Sequence, residues 1–136
     1  VLNTRAFKKA DGTYVITVGS IDTDKTQLGV EHQGHKFDII YGEFGPYVKE
    51  CNDYMKEVLK YCANETQEAM VKKYIESFNT GDIDAHKDSQ RHWVKDKGPV
   101  VESNIGWIET YIDPTNERGY FEGWVAVVDK PKSAKF

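Results

Sequence analysis

Residues 100–128 read VVESNIGWIETYIDPTNERGYFEGWVAVV and predict a β-hairpin. β-Branched and aromatic residues are frequent in residues 100–112 and 119–128, which is typical of strands. Between the two runs stands Asp113-Pro114-Thr115-Asn116, and proline at the second position of such a run is a turn signal. The sequence therefore predicts one long strand, a turn and a second long strand.

A symmetric pairing about this turn sets Ile112 opposite Gly119 and Glu109 opposite Glu122. Like charges directly opposite each other destabilise a sheet by a few tenths to about 1 kcal/mol. Two interpretations stay open: both carboxylates extend into water, or they hold a cation between them. Aromatic rings beside two carboxylates suit an ammonium group, although a plain core face explains the rings as well. The rings predicted on that face belong to Trp107, Tyr111, Tyr120 and Trp124.

Hydrophobic spacing predicts three helices before the hairpin. Pro46 suits the first position of a helix, and an apolar stripe at three- and four-residue spacing follows it. Asn64 is the predicted cap of a second helix that ends at Gly81. A third helix starts at Asp82 or Asp84 and runs to about residue 94. The residues predicted to face inward are Val48, Cys51, Met55, Val58 and Cys62 in the first helix and Met70, Tyr74 and Phe78 in the second.

The first forty residues predict strands joined by polar turns, with residues 14–18 and 35–41 as the clearest strands. Strands, then helices, then a hairpin indicate the α+β class. A length of 136 residues suits one domain. Because the chain starts at Val1 rather than Met and stops soon after Lys130-Pro131, which could open another helix, we expect residues 1–136 to form a single partial domain.

Composition limits the partners. The formal net charge of −4 argues against nucleic acid, because phosphate binding needs a clustered positive surface. No apolar run is long enough to cross a membrane, so we expect no membrane partner. Cys51 and Cys62, placed on one helix, would lie about 16 Å apart, too far for a disulfide. Two reduced thiols fit a cytoplasmic protein.

The histidines do not predict a metal site. His32 and His35 flank a glycine turn, while His86 and His92 would point in different directions on a helix. The sequence contains no His-Glu-x-x-His, Cys-x-x-Cys or Gly-x-Ser-x-Gly motif. We therefore interpret the four histidines as surface or packing residues and expect this chain to hold no metal of its own.

Residues 74–136 carry a dense series of short motifs. These are Tyr74-Ile75-Glu76-Ser77-Phe78, Trp93, Asp96-Lys97-Gly98-Pro99, Ile108-Glu109, Tyr111, Asp113-Pro114, Arg118-Gly119, Phe121-Glu122-Gly123, Val125-Ala126-Val127-Val128 and Ser133-Ala134-Lys135-Phe136. Their order resembles the dipeptidyl peptidase III family. The resemblance is strong from about Tyr74 onward and loose before it.

The resemblance implies a two-lobed zinc exopeptidase that removes dipeptides from the N-termini of short peptides. This chain resembles part of the lobe built around a β-barrel. Glu109, Tyr111 and Glu122 match the substrate-binding positions of that family, with Glu109 and Glu122 at the peptide's ammonium group. Tyr111 would lie near the scissile bond and could support an oxyanion. Trp93 matches a cleft tryptophan, for which packing is an equal explanation.

The family's zinc ligands, a His-Glu-Leu-Leu-Gly-His helix and a later glutamate, would lie beyond Phe136. We therefore expect a chain that contributes one side of a cleft and is inactive alone. The alternative is a non-catalytic α+β module that binds a peptide or protein. Barrel strands without their neighbours would also leave open edges, so self-association is expected.

Overall fold

The computed structural model describes residues 2–136, and their strands, helices and hairpin follow the predicted order. The α+β class is confirmed. The elements are β1 (Thr4–Lys8), β2 (Tyr14–Gly19), β3 (Gln27–His32), β4 (His35–Glu43), α1 (Gly45–Val58), a 3-10 turn (Leu59–Tyr61), α2 (Glu65–Thr80), α3 (Ile83–Trp93), β5 (Val101–Glu109), β6 (Tyr120–Val127) and α4 (Lys130–Ser133).

Strands β1 to β4 form one sheet in the order β1-β2-β4-β3, in which β2 and β4 run parallel. β1 and β3 add to its two edges as antiparallel strands. The sequence predicted β2 and β4 clearly, but β1 and β3 lack a clear hydrophobic alternation because most of their residues are exposed. His32 and His35 close the β3–β4 turn around Gly34, as predicted.

The predicted helix ends are confirmed. The Asn64 side chain accepts a hydrogen bond from the Gln67 amide at the start of α2. Gly81 ends α2 with a φ of 71°, a conformation that glycine adopts without strain. The Asp82 carboxylate then accepts from the Asp84 amide and starts α3. A short α4 also opens at Lys130.

The end of α1 differs from the prediction. The α-helix stops at Val58, and the tighter turn that follows places Cys62 beyond it. Val58, the last residue of the helix, is exposed, although it was predicted to face inward. The buried stripe passes instead through Asn52, whose Nδ2 donates to Asn79 Oδ1 at 2.8 Å. Both cysteines are free and half-buried, with Cys62 outside the helix that was expected to carry it.

Trp107 fixes the hairpin to the rest of the fold. Its ring lies 6.1 Å from Phe78 and 4.8 Å from Phe121, centroid to centroid. It also covers Gly19, where a Cβ atom would stand only 2.4 Å from Trp107 Cζ2. β5 therefore packs between α2 and the end of β2. The buried core around it comprises Val48, Met70, Val71, Tyr74, Phe78 and Trp107.

β5 and β6 form a separate two-stranded antiparallel sheet. In the part of the chain that the structure describes, no third strand pairs with either of them, and no barrel is closed. β6 is exposed along most of its length. No helix among residues 2–136 has the length and apolarity needed to cross a bilayer.

Candidate functional site

The hairpin pairs in a different register from the one predicted. Glu109 lies opposite Tyr120, and Glu122 lies opposite Gly106. The prediction that Glu109 faces Glu122 directly is therefore wrong. In the observed register the two glutamates stand diagonally, two positions apart along β6, which places their Cβ atoms at roughly 7–8 Å rather than in direct opposition.

Two features shift the register. The pairing slips between Trp107 and Glu109, so Ile108 is an extra residue on β5. Residues 110–119 then form a long loop instead of a tight turn. The Gly119 amide donates to the Leu2 carbonyl at 2.7 Å, which ties one end of the loop to the start of the chain. The assumption of a symmetric turn was wrong. The contact that shifts the pairing joins segments that are distant in sequence, so the local pattern could not indicate it.

Asp113 organises the loop. Its carboxylate accepts hydrogen bonds from the backbone amides of Glu117 and Arg118 at 2.8 and 2.6 Å. The Thr115 hydroxyl donates to the same group at 2.9 Å. These donors, the Arg118 amide first, hold the pKa of Asp113 well below its usual range. The loop that carries Tyr111 is thus built on an ionised carboxylate.

Tyr111 shares its surroundings with both glutamates. The negative charge of Glu122, followed by partial burial and the charge of Glu109, raises the pKa of the Tyr111 hydroxyl above its ordinary value. The Tyr111 side chain is 72% exposed, so its hydroxyl is open to solvent and to a ligand. Tyr111 therefore lies within electrostatic range of both glutamates, which do not face each other in the predicted pairing.

The aromatic residues divide between two faces. Trp107 pairs with Phe121 and is buried in the core, so its predicted place beside the carboxylates is wrong. The shifted register is the reason. Period-two alternation along β6 keeps Tyr120 and Trp124 on the face of Glu122, and both rings are about half exposed.

Trp93 stands apart from the carboxylates. It is the last residue of α3 and packs, partly buried, against the hydrophobic core. Within residues 2–136, no ring contact or hydrogen bond joins it to Glu109, Tyr111 or Glu122. Its observed contacts are those of a packing residue.

A buried network of polar side chains links β5 to the helices α2 and α3. This network was not predicted from the sequence. The Tyr74 hydroxyl lies 3.2 Å from Asn104 Oδ1, and Gln90 Nε2 lies 3.1 Å from that hydroxyl. Asn104 Nδ2 donates in turn to Gln90 Oε1 at 3.0 Å. The network joins α2, α3 and β5. An asparagine inside a strand is the only sequence signal that could have indicated it.

His86, one helical turn before Gln90 on α3, packs against the same strand. It is 6% exposed, and burial lowers the pKa of its imidazole. Gly106 makes room for it: with a φ of 146°, a Cβ there would stand 3.0 Å from His86 Cε1. His86 is therefore a packing residue, as predicted.

A metal ion does not fit the residues present. Among residues 2–136, no three His, Cys, Asp or Glu side chains are grouped so that they could hold one.

Comparison with known proteins identifies the family. The family model described as "Peptidase family M49" matches residues 1–136. The chain belongs to peptidase family M49. Among its M49 relatives, Dipeptidyl peptidase 3 of Dictyostelium discoideum is 45% identical over 134 residues, which is 98% of this chain and 19% of that protein. Dipeptidyl peptidase 3 of Homo sapiens is 42% identical over 147 residues, 98% of this chain and 20% of that protein.

The fold gives the same result. The solved structure titled "Structure of DPP III from Caldithrix abyssi" superposes with a TM-score of 0.61 and 25% identity, covering 81% of this chain and 21% of that one. The chain thus spans about a fifth of the length of the M49 relatives it matches. The resemblance inferred from residues 74–136 is confirmed at the level of the family.

Proposed function

We propose that this chain supplies the side of a dipeptidyl peptidase cleft that binds the N-terminal ammonium group of a short peptide. The observation that carries the proposal is the diagonal placement of Glu109 and Glu122 across the hairpin, beside the exposed Tyr111 whose pKa both charges raise. Two carboxylates that act on one hydroxyl create a negative potential at an exposed position. An ammonium group placed there is stabilised by both charges.

Each residue has a distinct role in this proposal. Glu109 and Glu122 accept hydrogen bonds from the ammonium group, which fixes the peptide's end. Tyr111 keeps its proton near neutral pH because a tyrosine ordinarily ionises only near pH 10, and the neighbouring charges raise the pKa of its hydroxyl further. Its hydroxyl can therefore donate to a peptide oxygen close to the bond that is cut. Trp93 contributes through packing, since its contacts lie in the core.

The hydrolytic chemistry of the family is proposed to come from outside this chain. The sequence has no His-Glu-x-x-His motif, and residues 2–136 group no set of metal ligands. Zinc bound elsewhere in a longer polypeptide would supply the activated water. The residues described above would bind and orient the peptide, and the chain alone would release no dipeptide. The two free cysteines further suggest a reducing, cytoplasmic setting.

A binding titration tests the proposal. The chain, labelled with ¹³C on its tyrosine rings, is titrated with tetra-alanine and with N-acetyl tetra-alanine while the Tyr111 signal is followed by NMR. Tetra-alanine should shift the signal, and the acetylated peptide should not. Glu109→Gln or Glu122→Gln should weaken binding about fivefold each, because an exposed ion pair contributes up to about 1 kcal/mol.

Glu102→Gln is the matched control. Glu102 lies on β5 but pairs with Ala126, far from the loop. Its replacement should leave the affinity unchanged. Equal binding of the free and acetylated peptides would contradict the proposal and favour a peptide-binding module without selectivity for the amine.

A further inference from the structure

Glu122 differs from the rest of β6 in its surroundings. It is the only residue of that strand that is half-buried, while the others are exposed. Its partner in the observed register is Gly106 of β5. Directly opposed residues of an antiparallel pair project to the same face of the sheet, with Cβ atoms about 4.5–5.5 Å apart. Glu122 therefore stands beside whatever occupies the place of the side chain that Gly106 lacks.

The His86 ring occupies that place. A Cβ atom at Gly106 would stand 3.0 Å from His86 Cε1 and 3.1 Å from Nδ1. The φ of 146° at Gly106 is also a conformation that residues with a side chain rarely adopt. Among residues 2–136, no hydrogen bond reaches the imidazole, which is buried. The ring therefore acts on the hairpin through its shape.

His86 cannot easily move away from the strand. The buried Ser89 hydroxyl donates to the His86 carbonyl at 2.6 Å within α3. One helical turn further on, Gln90 is joined to Asn104 of β5 by two hydrogen bonds of 3.2 and 3.0 Å. Asn104 lies two residues before Gly106 on the same strand. The distance between α3 and β5 is thus fixed close to the ring.

We propose that His86 is a positioning residue, whose ring supports β5 at Gly106 and keeps the Glu122 carboxylate directed towards the ammonium site rather than inward. This inference rests on the proposed function, in which Glu109 and Glu122 bind the peptide's amine. It adds the group that sets where one of these two carboxylates lies. In agreement, Glu122 is the larger of the two charges acting on Tyr111.

The titration of Tyr111 reports the position of Glu122 without any peptide. At the pH where a tyrosine ionises, His86 is neutral, because an ordinary histidine loses its proton near about pH 6.5 and burial lowers this pKa further. An effect of His86 on the pKa of Tyr111 must therefore pass through geometry. His86→Ala should lower the pKa of Tyr111 towards its ordinary value. His86→Leu, which keeps most of the bulk of the side chain, should retain the raised pKa.

A double-mutant cycle, followed by ¹³C NMR of labelled tyrosine rings, shows whether the effect passes through Glu122. Glu122→Gln should change the pKa of Tyr111 less in the His86→Ala variant than in the parent chain, because the carboxylate has already moved away. Glu109→Gln should have the same effect in both. Met70→Ala, which opens a cavity elsewhere in the core, is the control for lost packing and should leave the Tyr111 titration unchanged.

The inference is overturned if a folded His86→Ala chain, with an unchanged near-ultraviolet circular dichroism spectrum, gives the Tyr111 titration of the parent. It is also overturned if Met70→Ala or His86→Leu lowers the pKa of Tyr111 as much as His86→Ala does. His86→Val removes less of the side chain and carries the same test if His86→Ala does not fold.

Peptide binding separates this inference from the proposed function. Tetra-alanine should bind His86→Ala about threefold more weakly than it binds the parent chain, because part of the attraction to one exposed charge is lost. Equal affinities would overturn the inference, provided that the parent chain discriminates against N-acetyl tetra-alanine. A parent chain that binds both peptides equally would contradict the proposed function, whereas the cycle on Tyr111, which contains no peptide, would still decide whether His86 positions Glu122.

Discussion

Tyr111 is the residue at which the electrostatics of the hairpin can be measured directly. Its hydroxyl is exposed, yet its pKa is raised by Glu122 and, to a smaller extent, by Glu109. Both causes act through charge, so each can be removed by a single change to glutamine that keeps the shape of the side chain.

We predict that Glu122→Gln lowers the pKa of Tyr111 towards its ordinary value and that Glu109→Gln lowers it less. A tyrosine-selective ¹³C NMR titration between about pH 8 and pH 12, which brackets the ordinary tyrosine pKa, measures the change. Glu102→Gln, at the far end of β5, should have no effect. An unchanged Tyr111 titration in the Glu122→Gln variant would show that the two groups are not neighbours.

The sequence singled out these residues, but their pairing could not be predicted from it. A symmetric pairing about the turn set Glu109 opposite Glu122. Their register depends on the extra residue at Ile108 and on the hydrogen bond from Gly119 to Leu2. Bulges and contacts between distant segments leave no local pattern in the sequence. The prediction therefore assumed that the strands pair symmetrically about the turn, and this assumption was wrong.

At the scale of elements, predictions succeeded where the determining chemistry is local. Asn64, Gly81 and Asp82 end or begin helices by contacts within a few residues. The sequence-based predictions failed where burial is decided by tertiary contacts. Asn52 is buried where Asn79, on another helix, accepts a hydrogen bond from its Nδ2, and no spacing rule contains that information. The edge strands β1 and β3 lack a clear hydrophobic pattern because most of their residues are exposed.

The packing of α3 on β5 should depend on pH through His86. Burial lowers the pKa of this histidine in the folded state, so the unfolded chain binds a proton more readily. The contribution of His86 to the free energy of unfolding is fully present above about pH 6.5. It is lost as the pH falls from there through the lowered pKa of the folded state. The slope cannot exceed about 1.4 kcal/mol per pH unit for one proton.

Urea unfolding at about pH 7.5 and pH 5.5, on either side of the ordinary histidine pKa, measures this loss. His86→Leu, which removes the titrating group, should lose less free energy of unfolding between the two pH values than the parent chain does. His32→Leu, at an exposed turn position, should behave like the parent. If His86→Leu shows the same loss as the parent, another group is responsible.

For the whole molecule, the two-stranded sheet is the part whose outer strand edges are unpaired among residues 2–136. β5 is anchored by Trp107, but β6 exposes apolar side chains such as Val125 at 73% and Val127 at 75%. Unpaired strand edges of this kind are sites of association. The M49 relatives that the chain matches are about five times longer than it.

We predict that the isolated chain self-associates through β6. The weight-average mass from sedimentation equilibrium should rise with concentration. Val125→Lys, which places a charge on the exposed strand, should shift the mass towards that of the monomer. A monomer mass at all concentrations for the parent chain would contradict this prediction.

The central claim is that this chain binds the amine end of the substrate in an M49 peptidase. The most direct measurement uses Dipeptidyl peptidase 3 of Dictyostelium discoideum, with its matching segment replaced by this chain, and follows dipeptide release by mass spectrometry. The chimera should release dipeptides, whereas this chain alone should release none with or without added zinc. Glu109→Gln and Glu122→Gln should each lower kcat/KM of the chimera about fivefold or more. A folded chimera in which neither replacement changes kcat/KM, while Glu102→Gln also has no effect, would contradict the account.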